Sequence, residues 1–310
     1  MARSTTKTAP KNDWYQDVTD RIIAALEAGP GEWSKPWKSL GTNGMPRNGK
    51  SGRHYNGLNV WLLALAGYSD ARWYTFNQAK DLGANVRKGE KGTKIVYWQF
   101  IPEKDENGVE TGKKIPLLRV FTVFNAQQID GLPGVEKAPE VDPTVGFEKA
   151  AEIVAKLGVS MNHGGDRACY IPAEDRIRLP EPGQFANLAH YWSTTLHELG
   201  HWTGHASRLD RKLGNRFGSN EYAMEELVAE ITAAFTCAAL GIEGELAHPE
   251  YIGHWLKVLK GDKYAVFAAA REAQKAANFI LTGGGAEAEE SDEPTSETEA
   301  TPAAELAQAA

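Results

Sequence analysis

The sequence predicts an α+β protein in two parts: an α+β amino-terminal part and a mostly helical carboxy-terminal part with a small sheet. Three observations carry this. Two strand-like runs lie close together at residues 94–101 and 115–124, apolar residues recur at helical period through most of 147–279, and three prolines and two glycines separate the two regions between Gly131 and Pro143. At 310 residues, 42% of them hydrophobic and 24% charged, the chain has room for one large or two ordinary cores. The divisions read as a flexible start over 1–12, a first domain over 13–130, a linker over 131–145, a second domain over 146–282 and a disordered acidic tail over 283–310.

Each element has a local reason. Val18, Ile22, Ile23 and Leu26 fall on one helical face between Trp14 and Glu27, and Gly29-Pro30 stops the helix. A second helix covers 57–66. The runs KIVYWQFI (94–101) and IPLLRVFTVF (115–124) flank a polar segment containing Asn107-Gly108, which predicts a hairpin with a long loop. Beyond the linker come a helix over 147–157, a short strand over 176–179, helices over 185–202 and 222–240, and a last helical region over 251–279. The tail carries eight acids, no Lys or Arg and no aromatic residue, so it lacks the apolar surface needed to offset its ordering entropy.

Composition excludes several classes. The longest apolar stretches, 59–66 and 231–242, fall short of the roughly 20 residues of a spanning helix, so no membrane partner is expected. The basic, polar first dozen residues carry no apolar segment of the Sec type. Two cysteines, Cys169 and Cys237, make no disulfide framework, and a reducing cytoplasm is the expected location. The net charge of −7 hides a division: residues 1–130 hold nineteen Lys and Arg against thirteen acids, whereas 131–282 hold fifteen against twenty.

The second part contains His197-Glu198-Leu199-Gly200-His201. In a helix the two histidines lie only about 40° apart, so both imidazoles reach one metal while Glu198 stands beside them to handle a water proton. Phe185, Leu188, Trp192, Leu196 and Leu199 form the opposite, core-facing stripe. On the later helix, Glu226 and Glu230 share a face that also carries Tyr222, while Glu225 falls away from them. Buried carboxylates on one face need a cation or hydrogen bonds. Glu226 is therefore the third ligand and Glu230 the carboxylate that holds an imidazole N–H. His205, just after Gly204, is the alternative third ligand.

With three protein ligands the metal is Zn²⁺, Mn²⁺ being an alternative divalent ion, and the chemistry is amide hydrolysis with Glu198 as base. Tyr222 and Tyr251 are candidates to stabilise the oxyanion, and the strand over 176–179 to pair with an extended peptide. The pattern resembles the thermolysin-like zincins, with Glu230 where they carry an aspartate.

Six of nine tryptophans precede residue 100, amid cations. Aromatic rings alternating with positive charge suit single-stranded DNA, whose bases stack while its phosphates meet the cations. Lys35, Trp37, Arg47, Arg53, Tyr55, Arg72, Trp73, Arg87, Lys88 and Lys91 are the candidate contacts, with 45–57 and 86–92 as flexible phosphate-gripping loops. Trp14, Trp61 and Trp98 are assigned to the core.

WSKPW (33–37), NGKSGRHYN (48–56), WYTFNQ (73–78), VRKGEK (86–91), VFN (123–125), HELGHWTGH (197–205) and EELVAE (225–230) occur in this order. In this the chain resembles the ArdC-type antirestriction proteins of conjugative plasmids, whose amino-terminal domain also occurs in TraC-type plasmid primases. The resemblance implies a single-stranded-DNA-binding domain joined to a zincin-like metallopeptidase domain, protecting incoming plasmid DNA from host restriction. It also implies, as partners, a protein substrate on the DNA or the host restriction machinery. The alternative is a non-catalytic DNA-coating protein with a structural or vestigial metal site.

Overall fold

A computed structural model describes residues 13–29, 44–104, 108–132, 142–211, 219–243 and 249–285. Helix α1 (Trp14–Glu27) starts at Asp13, whose carboxylate accepts the Gln16 amide, and buries Val18, Ile22, Ile23 and Leu26 as the periodicity requires. Strand β1 (Arg47–Asn48) leads to α2 (Leu58–Ala64), then β2 (Arg72–Thr75), α3 (Phe76–Asp81) and β3 (Asn85–Val86). The hairpin is longer than its two apolar runs, with β4 (Thr93–Lys104) and β5 (Glu110–Asn125), and β6 (Ile129–Asp130) follows. The main sheet has the order β1-β2-β5-β4. Trp98 lies opposite Leu118 and Ile101 opposite Ile115, while β2 reaches only the inner end of β5, through Trp73 to Thr75.

In the second part, α4 (Pro143–Leu157) begins within the expected linker, because Asp142 caps it and Pro143 sits at its first turn. Strands β7 (Ser160–His163), β8 (Cys169–Ile171) and β9 (Arg176–Leu179) form a small sheet in the order β7-β9-β8. β9 is therefore flanked on both sides, and no edge remains on it for the peptide pairing expected of 176–179. The described edge next to the long helices belongs to β8. Helices α5 (Leu188–Thr203) and α6 (Asn220–Leu240) carry the motif residues, and the last helical region divides into α7 (Pro249–Gly261) and α8 (Ala265–Leu281).

The principal core runs through both parts, from Val18, Ile22 and Trp61 to Leu196, Phe235, Trp255 and Ile280. Polar contacts reinforce the join. Thr19 donates its hydroxyl to the Lys263 carbonyl (2.8 Å), the Gly57 amide donates to Gln274 Oε1 (2.7 Å), and Lys263 pairs with Asp13 (2.5 Å).

Tertiary cover distributes the tryptophans differently from the core assignment expected of Trp14, Trp61 and Trp98. Trp61 is fully buried as expected, and Trp14 is half-buried with the Lys94 ammonium over its ring. Trp98 is 36% exposed and Phe100 58% exposed, because the outer half of the hairpin extends beyond the elements that cover its base. Trp73 is only 2% exposed and packs with Leu63, Ile95 and Val123, so its ring offers no stacking face. Among the described residues, no helix is long and apolar enough to cross a membrane.

Candidate metal centre

Asn187 caps α5 by accepting the His190 amide, and Ser219 caps α6 by accepting the Tyr222 amide. The two helices pack together so that His197 and His201, one turn apart, face Glu226. His197 Nε2 lies 3.5 Å and His201 Nε2 3.7 Å from Glu226 Oε2, and one donor atom from each of the three residues lies within 4.8 Å of the others. Bonds of about 2.0–2.2 Å to a tetrahedral ion set neighbouring donors roughly 3.3–3.6 Å apart, so two imidazoles and one carboxylate near these separations fit a divalent cation.

The Nδ1 atoms face the other way, each toward a carboxylate. His197 Nδ1 is 3.3 Å from Glu230 Oε2. His201 Nδ1 is 3.2 Å from Glu225 Oε1. The sequence reading turned Glu225 away from the site, and the correction is geometric: the bound imidazole reaches across the helix crossing, which a wheel drawn for one helix does not contain. Arg211, which the motif pattern did not single out, donates Nη2 to Glu225 Oε1 (2.8 Å) and Nε to Glu225 Oε2 (3.1 Å). His205 bonds Ser207 Oγ through Nδ1 (2.8 Å) and lies outside the convergent group.

The electrostatics follow from this pairing. Burial works against a charged imidazole, but the acceptor carboxylates of Glu226 and Glu230 hold His197 well above its ordinary value. His201 is likewise penalised by burial, and Glu225 and Glu226 nevertheless push it up to about 9. Burial would raise the Glu226 carboxyl, yet the two imidazoles hold it far below the carboxylate range. The surrounding carboxylates thus favour positive charge at this position, which a divalent cation would supply.

Glu198 is buried beside the ligands, and its Oε2 accepts the Tyr170 amide of β8 at 2.7 Å. Behind that strand Tyr170 donates its hydroxyl to Asp175 Oδ1 (2.9 Å), and Arg208 pairs with Asp175 while its guanidinium lies 3.8 Å from the centroid of the Trp202 ring. The Tyr222 hydroxyl is 3.1 Å from that of Tyr251. Burial, then Tyr251 and Glu226, push the Tyr222 phenol above its ordinary value, so it remains a hydroxyl.

The candidate DNA contacts differ in accessibility and pairing. Lys35 and Trp37 lie outside the described residues. Arg72 is buried and clamped by Asp70 (2.8 Å), which removes it, with Trp73, from the accessible set. Arg47 and Tyr55 are half-buried, and Arg53, Lys88 and Lys91 are exposed. Arg87 is exposed but held by Glu90 (2.8 Å) and Asp130 (3.5 Å). Within the 45–57 loop, the backbone amides of the 48–53 turn are satisfied internally, so contacts to phosphate there fall to side chains such as the exposed Arg53. The amides of Lys50 and Ser51 go to Asn48 Oδ1 and that of Gly52 to the Asn48 carbonyl, while Gly49 lies so close to the Tyr74 ring that no Cβ fits.

A family model described as the N-terminal domain of anti-restriction factor ArdC matches residues 12–124, and one described as a zincin-like metallopeptidase matches residues 148–272. An Escherichia coli DNA primase TraC is 41% identical over 290 residues, covering 87% of this chain and 27% of that protein, so the chain spans about a quarter of its length. The Sinorhizobium fredii (strain NBRC 101917 / NGR234) protein y4eC is 37% identical, with 86% of this chain and 91% of that protein covered. The crystal structure of the antirestriction ArdC protein from the R388 plasmid, in its metal-free form, superposes with a TM-score of 0.74 at 42% identity, over 88% of this chain and 98% of that one. Its Mn(II)-bound structure gives 0.72 at 40% identity with the same coverage. The zincin-like part implies a divalent metal. On these matches, which span both parts of the chain, it belongs to the ArdC antirestriction family.

Proposed function

We propose that this protein binds single-stranded DNA and carries a zinc-dependent peptidase site, acting in the cytoplasm on a protein met on incoming DNA and so protecting that DNA from host restriction. The convergence of His197, His201 and Glu226 beside Glu198 is the observation that carries the reading. A zinc ion at these ligands supplies Lewis acidity, polarising a carbonyl and lowering the pKa of a water toward about 7. Mn²⁺ is the alternative ion, supported by the Mn(II)-bound ArdC structure.

The chain's own residues divide the remaining work. Glu230 orients His197 through Nδ1. The Tyr170 amide holds one oxygen of Glu198, which takes a proton from water and returns it to the leaving amine. Tyr222, a neutral donor supported by Tyr251, stabilises the developing oxyanion. Residues 13–130 and 146–282 serve as the DNA-binding and peptidase units. Support for DNA comes from the cationic excess of residues 1–130 and the exposed Arg53, Lys88 and Lys91. Because the two units share a core, the full chain is the proper object of experiment.

Metal analysis of the purified protein, followed by peptidase assays with and without single-stranded DNA, tests the proposal. One metal per chain and cleavage that disappears in Glu198→Gln support it. Metal at one per chain with no cleavage of any protein offered on DNA leaves the non-catalytic reading in its place.

A further inference from the structure

Resting on the metal-centre reading, we infer that Arg211 is a positioning residue for His201 and acts through Glu225. The arrangement is a closed ring across two helices and the turn after α5. His201 Nδ1 meets Glu225 Oε1 at 3.2 Å, and the Arg211 guanidinium holds both Glu225 oxygens. The same guanidinium returns to α5, with Nη2 donating to the Gly200 carbonyl (2.7 Å) and Nη1 to Thr203 Oγ1 (2.8 Å). The Arg211 amide donates to the Gly204 carbonyl (3.0 Å), which fixes the backbone that delivers the side chain.

Chemistry makes this more than a buried ion pair. Glu225 Oε1 serves two donors at once, so its direction is set by the planar guanidinium fork and not by the imidazole alone. Nδ1–H donation to a fixed oxygen selects, for a neutral ring, the tautomer that leaves the Nε2 lone pair for the metal position. Glu225 is buried, and removing the arginine leaves an uncompensated charge one hydrogen bond from a ligand. The two halves of the centre also differ: Glu230 meets His197, whereas Glu225 meets His201 already neutralised by Arg211. Ligand placement at His201 thereby depends on a residue ten positions beyond it in the chain, on no helix.

The test is titration of the full-length protein with Mn(II), following free ion by electron paramagnetic resonance, for wild type, Arg211→Ala, Arg211→Lys, Glu225→Gln and the Arg211→Ala/Glu225→Gln double variant. Removing a partner of a ligating histidine weakens metal binding about 10–100-fold, and each single Arg211→Ala or Glu225→Gln change is expected to do so. Because the arginine acts through the glutamate, the double variant binds no more weakly than the worse single variant. Arg211→Lys, which keeps the charge and loses the fork, recovers part of the affinity. Unchanged Mn(II) affinity in folded Arg211→Ala or in Glu225→Gln, with only a lowered melting temperature, overturns the inference. Additive losses in the double variant overturn the relay. A wild-type protein that takes up neither Mn(II) nor, by elemental analysis, zinc sinks the metal-centre reading itself, a result distinct from either.

Discussion

Gly200 lies against Ala229 where α5 crosses α6: a Cβ at position 200 would stand 3.0 Å from the Ala229 Cα and 3.3 Å from its Cβ and carbonyl oxygen. The glycine inside the His-Glu-Leu-Gly-His run is thus a packing residue. It lets the helix bearing Glu226 come close enough for that carboxylate to stand 3.5 and 3.7 Å from the two imidazoles. Gly200→Ala must push backbone away from backbone, a change that typically costs about 1–3 kcal/mol. Urea unfolding is expected to show that loss, and a metal titration a weaker site. A variant with wild-type stability and affinity would show that the crossing has slack.

His197→Ala and Glu226→Ala are expected to abolish stoichiometric metal binding, since each removes one donor of three. Glu198→Gln keeps the volume and the acceptor for the Tyr170 amide, so it should retain metal and melting temperature while losing any peptidase activity. Metal content by elemental analysis distinguishes these. Full metal retention in Glu226→Ala would reassign the third ligand.

Asp175 gives a pH signature away from the ligands. Hydrogen bonding to Arg208, opposed by burial and aided by Tyr170, holds its carboxyl below the ordinary range. Its contribution to stability is therefore present above the unfolded value of about 3.9 and lost as pH falls through the lower folded value. Asp175→Asn suits the position, because residue 175 has φ +47° and asparagine tolerates that region. The stability gap between wild type and variant should be full at neutral pH and close on acidification. A gap that widens toward acid would show that the Arg208 pairing does not govern it.

Trp73 and Trp98 should separate packing from binding. Trp73→Ala empties a core site and is expected to cost roughly 3–5 kcal/mol in denaturant unfolding. Trp98→Ala, on a face that is already partly in water, should cost far less. Charge reversal at Arg53 or Lys88 should flatten the salt dependence of single-stranded DNA binding, whose slope changes by about 0.7 per phosphate contact. A slope unchanged by both reversals would move the phosphate contacts elsewhere on the chain.

The sequence by itself determined what depends on one helix at a time. Spacing of four residues put His197 with His201 and Glu226 with Glu230, and apolar stripes at helical period located α1, α5 and α6 to within a few residues. The long hairpin was legible from two apolar runs and β9 from the alternation of Arg176 to Leu179, while the short strands β1, β2, β3, β6, β7 and β8 were not, because two to four residues without such alternation give no usable period. Everything that rests on two elements meeting was decided by tertiary structure. Alternation says which hairpin residues share a face, but only the covering helices decide that Val96 is buried and Trp98 is not. A wheel fixes the direction of Glu225 from its own axis, yet whether an imidazole waits there depends on where α5 crosses. Arg211 reaches Glu225 only because the turn after α5 folds back, a contact between residues 14 apart in the chain and set by no local period.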